Sequence, residues 1–281
     1  MAAVDVSALH AWVGRTESRE DLISPAPVAG LSATLDYGAP RAAAGEPLPP
    51  LWHWLYFCAM PRPSELDRDG HARRGGFLPP VPLPRRMWAG SRLRFESPLR
   101  VGDRARRVST IASISQKKGS AGELVFVTVR HQVYGNGTLA IEEEQDLVYR
   151  ETGSAERAPK PAPAQAQWTR KIEPDPVLLF RYSALTFNSH RIHYDRDYAT
   201  RAEGYPGLLV QGPLTATLLL DSLYREWPEG QVTAFSFRGM RPLLEGRHFL
   251  VQGRRDDAKS ASLWALDDGG ALAMTAAVQL A

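Results

Sequence analysis

Apolar and polar positions alternate along much of this chain in short runs. In the first half the runs are VSTIASIS (108–115), ELVFVTVRHQV (123–133) and TLAIEEEQDLVY (138–149), divided by turn signals at Lys118-Gly119 and Asn136-Gly137. In the second half they are HFLVQGR (248–254), SLWAL (262–266) and ALAMTAAVQL (271–280), with Asp268-Gly269-Gly270 between the last two. A period of two, punctuated by Gly, Asn and Asp, predicts antiparallel strands joined by hairpins. One segment departs from the pattern. PLTATLLLDSLYREW (213–227) follows Gly212, has Pro213 suited to a first helical turn, and carries apolar residues on nearly every face. Such a helix must be wrapped rather than merely rested on a sheet.

The two halves echo each other. RLRFESPLRVGD (92–103) holds Pro98-Leu99-Arg100-Val101-Gly102, and AFSFRGMRPLLEGR (234–247) holds Pro242-Leu243-Leu244-Glu245-Gly246. A succession of strand-like runs follows each, which predicts a duplicated unit. Between them AERAPKPAPAQAQW (155–168) loses all apolar periodicity and reads as a stiff, extended linker. The expected organisation is an N-terminal unit over 1–154, the linker over 155–168 and a C-terminal unit over 169–281. A helix enclosed by a curved antiparallel sheet is the hotdog arrangement. The expected fold is therefore α+β, a double hotdog whose two sheets join edge to edge.

With 281 residues, 43% of them hydrophobic, the chain can bury a sizeable core. It holds no apolar run of eighteen residues, and its N-terminus lacks both a basic start and a continuous apolar stretch, so a cytoplasmic protein without a membrane partner is expected. The single cysteine, Cys58, excludes an internal disulfide and a cysteine-built zinc site; beside Phe57 and Ala59 it reads as a buried thiol. A net charge of +3, carried mainly by arginine, suits attraction to an anionic small molecule and gives no nucleic-acid stripe. The clusters Arg104, Arg106, Arg107 and Arg73, Arg74 read as solvated surface.

The densest chemistry lies in FNSHRIHYDRDYA (187–199), within a chain of seven histidines. FRYSALTFNSHRIHYD begins with alternating residues and turns polar at Asn188, which predicts a strand end or the loop after it. His190 and His193, with Asp195 or Asp197, are metal-ligand types, but the spacing is not HExxH and no distant third ligand is evident; no metal is expected. The run Gly-Leu-Leu-Val-Gln-Gly-Pro (207–213) puts a glycine at the mouth of the buried helix, where a backbone N–H and the positive helix end can hold an oxyanion. A titratable imidazole plus such a donor is what proton transfer beside a thioester carbonyl needs.

Asn188-Ser189-His190-Arg191-Ile192-His193, followed by five residues and Ala199, resembles the MaoC-like (R)-specific enoyl-CoA hydratase signature. In that signature an aspartate, any residue, asparagine, proline, an aliphatic residue and histidine precede x5-Ala. LPPLWHWLYF (48–57), LPRRMWAGSRLRF (83–95) and GYPGLLVQGPLTATLLLD (204–221) are similar to a tandem hotdog subgroup. That subgroup includes mesaconyl-C4-CoA hydratases, itaconyl-CoA hydratases and type 2 3-hydroxyacyl-thioester dehydratases. The resemblance runs from about residue 5 to the C-terminus.

The resemblance places the family's catalytic histidine on His193, its catalytic aspartate on Asn188 and the glycine heading its central helix on Gly212. Asn188 cannot exchange a proton, so its implied role is to hold water with its amide oxygen and NH2. The implied reaction is hydration of an α,β-unsaturated acyl-CoA, or the reverse, with no cofactor beyond the CoA of the substrate. Arg85 and Arg86 are the expected phosphate contacts. Within the subgroup, a short dicarboxylic acyl-CoA such as mesaconyl-C4-CoA or itaconyl-CoA, hydrated to citramalyl-CoA, is favoured, with its free carboxylate paired by Arg191 and, to a lesser extent, His190. Tyr194, Asp195 and Asp197 are expected to set the loop or cap the next helix. The first half shows no second Asn/Asp…His pair. His53 there reads as part of a degenerate core helix walling the acyl tunnel, so one site per chain is expected, in a homodimer joined through sheet edges. The competing expectations are a fatty-acid-type dehydratase with an apolar tunnel, a hotdog thioesterase, and a non-catalytic acyl-CoA binder; a thioesterase usually wants a carboxylate on or beside the central helix, and QGPLTATLLL offers none before Asp221.

Overall fold

The computed structural model describes residues 6–39, 42–119, 122–151 and 158–281. In chain order the strands of the first half are β1 (Thr16–Leu22), β2 (Arg85–Phe95), β3 (Arg104–Gly119), β4 (Gly122–Gly135) and β5 (Thr138–Arg150). Those of the second are β6 (Trp168–Ile172), β7 (Val232–Gly239), β8 (Phe249–Arg255), β9 (Ser260–Leu266) and β10 (Leu272–Leu280). They form one ten-stranded sheet in the order β1-β3-β4-β5-β2-β7-β10-β9-β8-β6. Numbered within each half, the order 1-3-4-5-2 meets its own reverse. The join is the antiparallel pairing of β2 with β7, from Gly90 opposite Arg238 to Arg94 opposite Ala234. This is the double hotdog sheet, joined edge to edge.

The P-L-x-x-G echo is a structural repeat. In the first half Leu48 N–H donates to the Leu99 carbonyl, Val101 N–H to Glu46 and Gly102 N–H to Ile23. In the second, Val210 N–H donates to Leu243, Glu245 N–H to Leu208 and Gly246 N–H to Pro174. The same three bonds recur in the same order, so Leu48 corresponds to Val210.

Helix α1 (Pro25–Thr34) follows β1 as α2 (Pro176–Leu185) follows β6. The alternating residues before Asn188 thus end a helix, not a strand. Asp175 caps α2 by accepting Leu178 N–H at 2.7 Å, Pro176 begins it, and Leu179, Tyr182 and Ser183 recur at i, i+3, i+4 as its buried side.

The apolar segment forms α3 (Gly212–Glu226), and every residue from Leu214 to Leu223 is buried against the curved sheet. Its counterpart in the first half is much reduced. Trp52–Leu55 makes one 3₁₀ turn where a core helix was expected, because Leu51 and Phe57 at φ 73° and 58° interrupt helical backbone on either side. Two smaller expectations also shift. Lys118 and Gly119 belong to β3, Gly119 facing Gly122, and the hairpin tip lies outside the described residues. Of the linker, 155–157 lie outside the described residues. The remainder is docked rather than free, with the Lys160 carbonyl bonded to Leu272 N–H, Ala162, Ala164 and Ala166 packed near Trp264, and Trp168 already the first residue of β6.

Candidate active site

Helix α2 delivers the polar motif. It ends at Leu185, and Phe187 then adopts φ 48°, a conformation that costs a bulky residue of the order of 1 kcal/mol and turns the chain abruptly. Asn188 N–H returns to the Ser183 carbonyl at 2.8 Å, and Arg191–His193 form a 3₁₀ turn. A loop from the first half clamps this segment: Arg191 N–H donates to the Asp69 carbonyl at 2.9 Å and the Ser189 hydroxyl to that of Gly70. Gly70 sits at φ 89°, and a Cβ there would lie 1.8 Å from the Ser189 carbonyl oxygen, so only glycine permits the approach.

His193 is buried, and its Nδ1 lies 2.8 Å from the Leu209 carbonyl oxygen. A carbonyl can only accept, so Nδ1 carries the proton and Nε2 keeps a free lone pair. Burial pushes the pKa down to about 4, against an upward pull from the Leu209 bond. The ring is therefore a neutral proton acceptor at pH 7. Leu209 in turn is held by its own N–H to the Ile192 carbonyl, and buried Gln211 donates to the Leu179 carbonyl and Ser183 hydroxyl, both at 2.9 Å. Those bonds pin the start of α3 to α2 and hence to the motif.

Asn188 lines the same cavity, but its oxygen is taken by the backbone N–H of His190 at 3.0 Å. A backbone N–H requires an acceptor, which fixes the amide orientation and leaves the NH2 for a substrate. Gly212 opens α3 with a backbone N–H that has no partner among the described residues. A Cβ on Gly212 would meet nothing within 4 Å, so neither packing nor φ demands glycine there. The open space is the cavity, which Gly212 lines.

That cavity, of about 1320 Å³, draws its wall from both halves. From the first half Glu143, buried, accepts from Ser91 Oγ at 2.7 Å and Trp54 Nε1 at 3.0 Å and faces His53 Nε2 at 3.2 Å. Burial raises its pKa, but His53 and Ser91 outweigh that and hold the carboxyl at about 2. Arg107 also lines the wall with its guanidinium over Phe57, and Arg74 bonds the Val81 carbonyl at 2.7 Å, so neither is free solvated surface. Cys58, expected buried, is half-buried on the wall.

The expected substrate contacts separate into two groups. His190 and Arg86 line the cavity. Arg85 lines it too but is ion-paired with Glu203 at 2.9 Å and stacked on Tyr205, which leaves little charge for a phosphate. Arg191 does not line it. Its guanidinium takes Asp195 at 2.8 Å, the Arg68 carbonyl at 3.0 Å and the face of Tyr198, so the carboxylate role expected of it is not where the structure puts it. Two residues apart on a tight helical turn, Arg191 and His193 face different sides. Asp195 does cap the next turn, accepting Tyr198 N–H at 2.9 Å.

Asp69 and His71 escaped the sequence reading. The Asp69 carboxylate bonds His71 N–H at 2.8 Å and lies 2.9 Å from His71 Nδ1, and the His71 ring lies 4.0 Å from that of His190. His190 in turn meets His193 edge-on, centroids 5.4 Å apart. Ligand atoms of Asp69, His71 and His190 fall within 4.8 Å of one another, close enough for a cation, although no spacing in the sequence joins residues so far apart along the chain.

The repeat also shows what stands in the first half where Gly212 stands in the second. With Leu48 at the place of Val210, Gly212 corresponds to Pro50, which has no N–H to offer.

Comparisons with known proteins agree with this architecture. The family model for hydroxyacyl-thioester dehydratase type 2 matches residues 51–245. The chain is 50% identical over 273 residues to a mesaconyl-C(4)-CoA hydratase of Chloroflexus aurantiacus, covering 96% of this chain and 97% of that one. It is 30% identical over 256 residues to the mitochondrial hydroxyacyl-thioester dehydratase type 2 of Schizosaccharomyces pombe, covering 79% and 85%. A Mycobacterium tuberculosis protein solved with a double hotdog fold superposes with a TM-score of 0.61 at 15% identity, over 95% of this chain and 96% of that one. Repeated sheet, buried α3 and matching relatives together establish that this chain belongs to the hydroxyacyl-thioester dehydratase type 2 family.

Proposed function

We propose that the protein is a hydro-lyase that adds water reversibly to an α,β-unsaturated acyl-CoA. The observation that carries the reading is the convergence on one cavity of a neutral His193 Nε2, the Asn188 NH2 and the unpaired Gly212 N–H. Asn188 donates to the oxygen of a water molecule, whose proton passes to His193 Nε2 as the oxygen bonds to the β carbon. The double-bond electrons move to the thioester oxygen, where Gly212 N–H and the α3 N-terminus stabilise the enolate. The imidazolium then returns its proton to the α carbon. One ionisable group serves both transfers, and the elements of water are the net addition.

The 50% identity to the Chloroflexus mesaconyl-C(4)-CoA hydratase supports mesaconyl-C4-CoA, hydrated to citramalyl-CoA, as the substrate. The exposed cavity-lining cations Arg201 and Arg238 are better placed than Arg85 to meet CoA phosphates. These steps use proton transfer and hydrogen bonds and call for no cofactor beyond the substrate's CoA. A homodimer and a cytoplasmic setting complete the proposal; no described helix is long and apolar enough to cross a membrane, and sedimentation analysis tests the dimer.

The experiment is incubation with mesaconyl-C4-CoA, followed at the absorbance of the conjugated thioester and with a thiol reagent. Loss of conjugation without free thiol supports the hydratase. Free thiol marks a thioesterase, against which Asp221, the buried carboxylate of α3, stands already paired with Arg170 and Arg225. No change leaves only a binding protein.

A further inference from the structure

We infer that Arg86 and His190 form the receptor for a free carboxylate borne on the β carbon of the substrate, and so determine the choice of a dicarboxylic over a monocarboxylic acyl thioester. This rests on the hydratase reading above and assigns the group that selects among its substrates.

Such a substrate has a defined geometric need. In mesaconyl-C4-CoA the carboxylate is attached to the carbon that receives water, so its binding groups must adjoin the base that activates that water. A carboxylate entering a closed cavity must also be paired, because an unpaired buried charge costs several kcal/mol or more. Of the arginines that line the cavity, Arg201, Arg238 and Arg247 are exposed, Arg241 pairs with Asp267, and Arg150 ends β5 between Arg85 and Leu124, which leaves three to weigh. Arg85 is occupied by Glu203. Arg107 lies on β3 among Arg19, Glu17 and Glu143, the neighbours that most affect its charge, and is thus part of the first-half wall. Arg86 alone of the three acts electrostatically on both His71 and His190. Among the described residues no carboxylate forms an ion pair with it.

His190 supplies the second contact. Its ring lies edge-on to His193 at 5.4 Å, and burial together with the neighbouring His71 and His193 holds its pKa far below the ordinary value, so it is neutral. A neutral imidazole still has one N–H to donate, and its ring nitrogens have no hydrogen-bond partner among the described residues. His71, stacked on it at 4.0 Å and tied to Asp69, positions the ring. The buried Tyr149 hydroxyl lies beside the Arg86 guanidinium, which pulls the phenol's pKa down against the upward push of burial and helps fix where the cation sits.

The same cluster offers three metal-ligand types, but a cation there would face Arg86. An anion is the ligand that both Arg86 and a neutral N–H donor favour.

The test measures kcat/KM for mesaconyl-C4-CoA and crotonyl-CoA, which lacks the carboxylate, in the wild type, Arg86→Met and His190→Gln, with circular dichroism to confirm folding. The wild type is expected to prefer mesaconyl-C4-CoA. The ratio of the two kcat/KM values should fall by about 10²–10³-fold in Arg86→Met, the cost of leaving a buried charge unpaired. In His190→Gln, which keeps an N–H donor, the fall should be about tenfold or less. A variant that damages the site as a whole would lower both constants and leave their ratio unchanged, which overturns the inference. So does a wild-type preference for crotonyl-CoA, although hydration itself then stands. Turnover of neither enoyl-CoA by the wild type refutes the hydratase reading instead. A stoichiometric divalent metal in the purified protein, lost in Asp69→Asn, would likewise overturn the carboxylate assignment. Should Arg86→Met fail to fold, Arg86→Lys and His190→Gln carry the comparison, the lysine variant with an expected fall in ratio of about tenfold, because a point charge replaces a bidentate fork.

Discussion

The side-chain oxygen of Asn188 accepts the backbone N–H of His190 at 3.0 Å, so the residue faces the cavity as a donor. A donor can orient water but cannot take its proton. His193→Ala should therefore lower kcat by about two to four powers of ten, as removal of a general base does, and Asn188→Ala by less, about ten- to a hundredfold. Steady-state kinetics on folded variants checks the order; equal losses would mean that the amide does more than position water.

Asn188→Asp keeps an acceptor for His190 N–H and places a carboxylate near His193. An adjacent negative charge favours the imidazolium, so the pKa of His193, about 4 in the native protein, should rise. The acidic limb of the kcat/KM profile should move toward neutrality in the variant. An unmoved limb would show that the two side chains do not share a reacting centre.

Gly212→Ala separates folding from function. Its Cβ would meet no protein atom within 4 Å, and α3 tolerates alanine, so the thermal midpoint should stay within about 2 °C of the native value. The methyl group would occupy substrate space beside the enolate oxygen, and kcat/KM should fall about a hundredfold or more, the scale of losing an oxyanion donor. A fall in stability that matches the fall in activity would remove Gly212 from the site.

The motif stood out because its members are close in sequence, and the structure brings Asn188, His190, His193 and Gly212 to one cavity. The antiparallel strands and the duplicated unit were legible through alternation and the P-L-x-x-G echo, whose three hydrogen bonds recur in each half. Asp69 and His71 were not, since a loop from the other half brings them to His190. Arg191 was misread because adjacency in sequence is not adjacency in space on a 3₁₀ turn. Glu143 left a faint signal: it lies in phase with Ile141, Leu147 and Tyr149, so the alternation of β5 already pointed a carboxylate inward. Read that way, it required a buried partner, and His53 is that partner.

The Glu143 network should be a major stability element. Its carboxylate accepts from Ser91 and Trp54 and faces His53, so Glu143→Ala would strand all three partners in the interior. Leaving a buried polar group unsatisfied costs about 1–3 kcal/mol, so the loss over three partners should come to about 3 kcal/mol or more. Urea denaturation should show a loss of that size, with Glu143→Gln milder because the amide oxygen still accepts. A loss under about 1 kcal/mol would mean that water already reaches the network.

Stability should also fall as pH drops below neutrality. Burial lowers the pKa of His71, His131, His190 and His193, so each stays neutral in the fold where the unfolded chain, at about 6.5, takes up a proton. Below pH 6.5 the unfolded state thus binds more protons, and each such histidine tilts the balance toward unfolding by up to about 1.4 kcal/mol per pH unit. For His193 the window closes near its folded value of about 4, where both states are protonated. Glu143 has the same sign further down: held at about 2, it favours the fold above the unfolded value of 4.5 and loses that contribution as pH falls toward 2. The free energy of unfolding from urea titrations should therefore decline steeply between pH 6.5 and 5. His193→Gln, which cannot titrate, should have a slope shallower by about one proton's worth. An identical slope in that variant would mean that His193 reaches solvent in the native protein, and with it the case for a neutral base would fail.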